Sequence, residues 1–365
     1  MIPGRATLEG TKRFANRSAA ATGHFREAAG LLLSSIGLGT YLGPEDDATD
    51  RGYEECVAIA LASGVNVFDS AINYRGQKSE RAIGHALAKA FRSGAARRDE
   101  VFVATKGGYL PHDADDPREP RRYILETFVT TGIAPRAEIA AGGNCISPAY
   151  LRDQIERSRA NLGLDVIDLY YLHNIESQRT AVDKPAFRAR LVKAVEFLEG
   201  AAADGKIARW GLATWDGLRV PPEHPEHLSL AETVAVAEDV AGRPHHFAGV
   251  QLPVNLAMAQ AIAYRSQQHS DGRVPALSAA QMSGVAAFGS SSLLQGRLTA
   301  DLPEEIGPVL PGAGTDAQRA LQFSRSAPGM TAALVGVSSP EHARENFALA
   351  CAPPADPAAI LALFE

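Results

Sequence analysis

The chain has 365 residues, 45% of them hydrophobic and 21% charged, with a net charge of −6. That composition belongs to a globular chain able to bury a large core without disulfide or metal staples. Charge spread without blocks argues against nucleic acid or an anionic membrane as the main partner, since both select for clustered Lys and Arg.

In chain order, the first thirty residues precede any strand signal and are expected to form an arm or hairpin against the barrel. The opening segment shows no apolar stretch of signal-peptide type, and no run reaches the length of a membrane span. Three scattered cysteines, Cys56, Cys145 and Cys351, form no ligand pair and suggest a reducing compartment, so a cytoplasmic location is expected.

Eight short apolar runs then recur: Ser35–Thr40, Asn66–Ser70, Val101–Lys106, Asp168–His173, Ala208–Thr214, Gly249–Asn255, Gly284–Gly289 and Thr331–Val337. Continuous rather than alternating hydrophobicity marks strands covered on both faces, as in a parallel sheet. Helical stripes lie between them: Tyr53 to Leu61 closed by Gly64, Leu151 to Leu162 opened by Ser147-Pro148, and Phe187 to Leu198 ended by Gly205. A last helix opens at Ser339-Pro340. Eight strands, each followed by a helix, predict an α/β chain folded as a (β/α)8 TIM barrel over residues 31–350, with a C-terminal tail at 351–365.

Strand starts fall 31 to 47 residues apart except once. The gap of 67 after the third strand marks a long insertion at about 107–146. Because it follows Lys106 directly, it is expected either to fold over the barrel mouth with Tyr109, Tyr123, Ile124, Leu125 and Phe128, or to remain a surface loop with local packing.

Active sites of such barrels lie at the C-terminal ends of the strands. The polar residues there are Asp69, Lys106, His173, Thr214, Gln251, Asn255 and Ser290, with Tyr74 five residues past Asp69. Singly, each reads as a cap, a snorkelling amine or a satisfied core histidine. Together they suit reduction of a C=O group: a Lys beside a Tyr hydroxyl favours the phenolate and lowers its pKa, an Asp holds the Lys, and a His donates to the carbonyl oxygen. Gly37-Leu38-Gly39 with Gly43 has the wrong spacing for a dinucleotide loop, and Tyr74-x-x-x-Lys78 lies too near those glycines for a short-chain dehydrogenase pair. His224, His227, His245 and His246 lack a third ligand at metal spacing, so they are expected to be solvated and no metal is expected.

The segments NVFDSAINY, VFVATK, IDLYYLH, GKIARWGLATW, GVQLPVNL, SSLLQGRLT and ALVGVSSPEHARENF resemble, in order and over nearly the whole chain, those of the aldo-keto reductases. The resemblance implies an NAD(P)H-dependent oxidoreductase that reduces an aldehyde or ketone, with a catalytic tetrad at Asp69, Tyr74, Lys106 and His173. It also implies cofactor contacts at Thr40, at Ala213, Thr214, Gln251 and Ser290 around the nicotinamide, and at Leu293, Gln295 and Gly296 toward the pyrophosphate. Ser338, His342, Glu345 and Asn346 would meet the adenosine end. NADPH is the cofactor implied, with NADH as the alternative, and the partner is a small-molecule carbonyl substrate.

Three departures stand out. Ala213-Thr214 replaces the family's usual Ser-Asn, Ser290 replaces an aromatic that stacks on the nicotinamide (leaving Phe288 as the candidate), and His342 stands where many members carry Arg. Two other readings stay open: a cofactor-binding regulatory subunit with little turnover, and a barrel lyase or isomerase that uses no nicotinamide.

Overall fold

The structure, a computed structural model, describes residues 1–270 and 272–364. A helix at Leu8–Arg17, capped by the Thr7 hydroxyl, precedes an antiparallel hairpin of β1 (Phe25–Ala28) and β2 (Leu31–Ser34). Eight parallel strands then close a barrel: β3 (Ile36–Gly39), β4 (Val67–Asp69), β5 (Phe102–Gly107), β6 (Leu169–His173), β7 (Trp210–Ala213) and β8 (Phe247–Pro253), completed by β11 (Ala286–Ser290) and β12 (Ala332–Gly336). A small hairpin, β9 (Gln267–His269) with β10 (Gly272–Val274), interrupts the path between β8 and β11. Each predicted run overlaps one barrel strand, with β5, β8 and β11 extending one or two residues past the predicted bounds. The (β/α)8 expectation holds.

Side-chain direction alternates along each strand, and this sorts the residues into two layers. Val67, Phe102, Ala104, Leu169, Tyr171, Ala213, Ala286, Phe288, Ala332 and Leu334 fill the interior, closed from below by Leu31, Leu33 and Ala6. Leu38, Phe68, Val103, Tyr170, Leu172 and Leu212 face outward into the larger core beneath the helices. Following the interior positions upward two residues at a time leads from Val67 to Asp69, from Ala104 to Lys106, and from Tyr171 to His173. Period two therefore aims three ionisable groups at one mouth.

Glycine at 37 answers the same crowding. A Cβ there would lie 2.7 Å from Leu334 Cδ2 and 2.8 Å from Val67 Cγ1, so the Gly37-Leu38-Gly39 run serves barrel packing.

The helices start and stop where their caps predict. Asp46 caps Asp47–Ala62, Ser147 caps Pro148–Leu162, Asp183 caps Lys184–Ala203, and Ser339 caps Pro340–Phe347. Below the barrel, Asp168 accepts hydrogen bonds from Ala6 N (2.7 Å) and Val103 N (2.9 Å) and pairs with Arg98 (2.8 Å), joining the N-terminal segment to β5. Among the described residues no helix is long and apolar enough to cross a membrane.

The insertion is held rather than loose. Tyr123, Phe128, Ala134 and Cys145 form a satellite cluster with Tyr150 of the following helix, and Arg81 binds Asp113 (2.7 Å) and Asp115 (2.6 Å). Its return is fixed by Cys145 N to Gly108 O (2.7 Å) and by Asn144 Nδ2 to the His173 carbonyl (2.7 Å). Of the apolar residues expected to close the mouth, only Tyr109 borders it. Tyr123 and Phe128 pack down the barrel's side because the Tyr150 face offers them full burial, and Leu125 stays exposed.

Candidate active site

A cavity of about 830 Å³ opens at the C-terminal ends of the strands. A second, of about 870 Å³, lies on the opposite face between the hairpin and Pro328–Thr331. Only the first gathers the strand-end ionisable groups, so it is the candidate site.

Lys106 stands beneath its floor, fully buried. Its ammonium donates to Asp69 Oδ1 (2.5 Å) and to the Ser70 carbonyl (2.7 Å), and lies 4.8 Å from the centre of the Tyr74 ring. Asp69 accepts a further bond from Gln251 Nε2 (2.8 Å), so both its oxygens are engaged. The Tyr74 and His173 rings meet edge to face at 6.0 Å. The four residues expected to act together are brought together.

Burial raises the Asp69 carboxyl above the usual carboxylate range, against the pull of Lys106. Lys106 also loses hydration, yet Asp69 and Tyr74 hold its ammonium above the ordinary lysine value. His173 is driven well below the usual imidazole value by burial and by the Lys106 charge, so the ring is neutral.

Tyr74 departs from expectation. Burial lifts its phenol above the ordinary value, and Lys106 offsets only part of that rise. The ammonium is already paired with Asp69, which leaves less of its field to stabilise a phenolate. Tyr74 consequently keeps its proton at neutral pH.

What brings Tyr74 over the floor is a turn with left-handed Arg75 (φ 49°) and Gln77 (φ 72°) around Gly76 (φ 53°). Arg75 pins that turn. Its buried guanidinium donates to Pro44 O (2.8 Å) and Asp46 O (3.2 Å), pairs with Asp50 (2.7 Å), and lies over the Tyr53 ring. Lys78 reaches Asp47, Asp50 and Asp115, and so forms no pair with Tyr74.

Thr40, Ala213, Thr214, Gln251, Ser290, Leu293, Gln295, Gly296, Ser338, His342, Glu345 and Asn346 all border this cavity. Some are already committed. Thr40 Oγ1 bonds Ser70 Oγ (3.0 Å), Gln251 serves Asp69, and Glu345 accepts from Thr315 Oγ1 (2.5 Å). Others have capacity to spare: Thr214 Oγ1, Ser292 Oγ, Asn346 Oδ1 and His173 Nδ1 are buried with no partner among the described residues. Orphaned polar atoms in a cavity wall fit a polar ligand that would complete them. After β11 the chain passes through left-handed Ser291, Leu294 and Gln295, strain of the kind stored at ligand-binding turns.

Phe288 takes no part. It is buried inside the barrel, stacked on Phe102 at 5.6 Å, because its register points down the axis rather than out of the mouth. His246 is not merely solvated either: its Nδ1 lies 2.6 Å from the Glu199 carboxylate.

Tyr41, Asn73, Asn174 and Trp215 also border the cavity, though nothing in the sequence singled them out. Three of them directly follow Thr40, His173 and Thr214, so extending each strand end by one residue would have found them.

Fold and site together define an enzyme-like (β/α)8 barrel, with a Tyr hydroxyl, a Lys–Asp pair and a neutral His at its C-terminal mouth. The chain belongs to the aldo/keto reductase family, whose model matches residues 35–221. It is 26% identical over 190 residues to a 6-dehydroglucose reductase of Novosphingobium aromaticivorans, a match covering 51% of this chain and 49% of that protein. The chain thus spans about half the length of that relative. A Schizosaccharomyces pombe protein, named provisionally as a voltage-gated potassium channel subunit beta, is 24% identical over 354 residues and 90% of each chain. Among solved structures, an aldo/keto reductase from Klebsiella pneumoniae in complex with NADP and acetate shares the fold with a TM-score of 0.61, at 22% identity over 94% of this chain and 96% of that one.

Proposed function

We propose that this chain is an NADPH-dependent reductase of aldehydes or ketones. The observation that carries the reading is the placement of Tyr74 in the cavity wall, backed by the buried Lys106–Asp69 pair and faced edge to face by His173. Crystal complexes of similar fold with NADPH and NADP support the choice of cofactor. Ala213, Thr214, Gln251 and Ser290 would hold the nicotinamide end. Leu293, Gln295 and Gly296, with Thr40, would hold the pyrophosphate, and Ser338, His342, Glu345 and Asn346 the adenosine end. Among the described residues no Lys or Arg borders the cavity, so preference for NADPH over NADH should rest on hydroxyls and a helix N-terminus and be weak.

When bound, the cofactor supplies the hydride. The chain's residues manage the proton. Tyr74 gives its hydroxyl proton to the carbonyl oxygen, and Lys106 stabilises the phenolate that remains. Asp69 keeps Lys106 charged and placed, and the His173 ring donates to the carbonyl oxygen to orient it. Three unpaired cysteines, two of them buried, suit a cytoplasmic setting.

Tyr74→Phe tests the assignment, since it removes one oxygen and keeps the ring. Turnover should fall by about 10²–10⁴-fold with NADPH affinity retained. Turnover within a few-fold of the parent, at a rate limited by chemistry, would rule Tyr74 out. The potassium-channel name of a relative matched over 90% of both chains favours, as a second reading, a cofactor-binding protein with little turnover. Uniformly slow rates across a carbonyl panel would select it.

A further inference from the structure

Trp215 directly follows Thr214 at the end of β7, and its residue is 42% exposed at the rim of the cavity. An indole left in water loses the gain of burial, so a fold has no reason of its own to fix it there. Yet its backbone is held from both sides. Its N–H donates to Glu176 Oε1 (2.5 Å), and the Asp216 N–H reaches the same oxygen at 3.2 Å. Its carbonyl accepts from Arg219 Nε (2.8 Å), while Arg219 also pairs with Asp216 and donates to Gln260 Oε1 (3.0 Å).

Glu176 and Arg219 are both buried, at 4% and 8% exposure, and neither borders the cavity. Sequestering two charges from water is costly, and burial pushes the Glu176 carboxyl up to about 7. Ionisable groups buried at such cost on the backbone of the turn that begins at Trp215 point to a demand for its fixed placement.

Two more rings border the same cavity near its reacting end. Tyr109 meets His173 edge to face at 5.1 Å, its hydroxyl bonded by Asn174 Nδ2 (3.2 Å), and Tyr41 meets Tyr74 edge to face at 5.1 Å. With no Lys or Arg among the described residues bordering the cavity, a charged substituent on the substrate would find no cation to pair with at this end. Ring faces, by contrast, gain from aromatic walls.

We propose that Trp215 is a specificity-determining residue that takes the ring face of an uncharged carbonyl substrate, and that Glu176 and Arg219 are the positioning residues that set it. The proposal rests on the carbonyl-reductase reading above. The ring could be aromatic or a pyranose, and the test separates the two.

The full-length protein with NADPH is assayed on benzaldehyde, a pyranose bearing an exocyclic aldehyde, propanal and 4-carboxybenzaldehyde. At least one uncharged ring substrate should show a KM lower by about tenfold than propanal and 4-carboxybenzaldehyde, and which one responds names the ring. Trp215→Leu should raise the ring substrate's KM by about tenfold while kcat, the propanal KM and the NADPH dissociation constant stay within about twofold. Glu176→Ala should reproduce that pattern, and Glu176→Gln, which keeps an accepting oxygen, should restore it.

An equal effect of Trp215→Leu on ring and chain substrates would overturn the proposal, as would 4-carboxybenzaldehyde serving as well as benzaldehyde and the pyranose. A lower melting temperature in Glu176→Ala with ring selectivity intact would overturn the positioning role. If no carbonyl is turned over, the reductase reading fails by itself. Calorimetric binding of the same four compounds then decides: ring-selective affinity lost in Trp215→Leu upholds the proposal, and equal affinities overturn it.

Discussion

Asp69, Lys106 and Tyr74 are each costly to bury alone, and each makes another tolerable at the floor of the mouth. Lys106→Met keeps the volume and removes the cation, leaving Asp69 with Gln251 as its only side-chain partner among the described residues. Its carboxyl, already raised by burial, should then rise further and bind a proton in the folded state that it releases on unfolding. Stability therefore falls as pH rises above the ordinary aspartate range, since the folded form holds the extra proton. Denaturant unfolding of parent and variant at pH 5 and pH 8 checks this. The variant should lose about 3–5 kcal/mol at the higher pH and less at the lower, alongside loss of turnover. A pH-independent difference would contradict it.

Among the elements, the insertion after β5 is a small core of its own. Phe128 is buried edge to face between Tyr123 (6.0 Å) and Tyr150 (5.8 Å), in a cluster separate from the main barrel core. Phe128→Ala should cost about 3–5 kcal/mol if the barrel shared that core. Because the cluster is a satellite, the loss should instead appear as local opening. Limited proteolysis should show faster cleavage within residues 115–140, with the global melting temperature and NADPH affinity little changed. A proportionate drop in global melting temperature would mean that the insertion and the barrel unfold as one.

Across the molecule, His24 links the N-terminal hairpin to the first βα unit. Its Nε2 donates to Gly64 O (3.0 Å), and its Nδ1 accepts from Ser35 Oγ (3.2 Å), which requires the neutral ring. Burial, with Arg325 and Arg26 nearby, lowers its pKa to about 4. A lowered value means the unfolded chain takes a proton that the folded one refuses, so stability present above pH 6.5 is lost as pH falls toward 4. The shift corresponds to about 3 kcal/mol over that window. His24→Gln should unfold with a flatter dependence on pH between 6.5 and 4.5 than the parent, although it is weaker at pH 7.5. Parallel curves would show that His24 is not the group responsible.

The barrel, its strand and helix order, and the position of Asp69, Lys106 and His173 at strand ends were legible from the residues alone. Those features are local: apolar runs, caps such as Ser147-Pro148, and a period of two leave their mark on consecutive residues. The insertion showed itself by length. Anything that depends on which surfaces meet had to wait for the folded chain. Lys106 should lower the Tyr74 pKa in isolation, but burial and the competing Asp69 reverse the sign. Tyr123 and Phe128 look fit to close a pocket, yet Tyr150 on another helix buries them elsewhere. The Arg75 anchor joins residues 25 to 31 apart, and the Glu176 clamp on Trp215 joins residues 39 apart. Such pairings have no spacing rule, because they are set by loops meeting at the mouth after the barrel has closed.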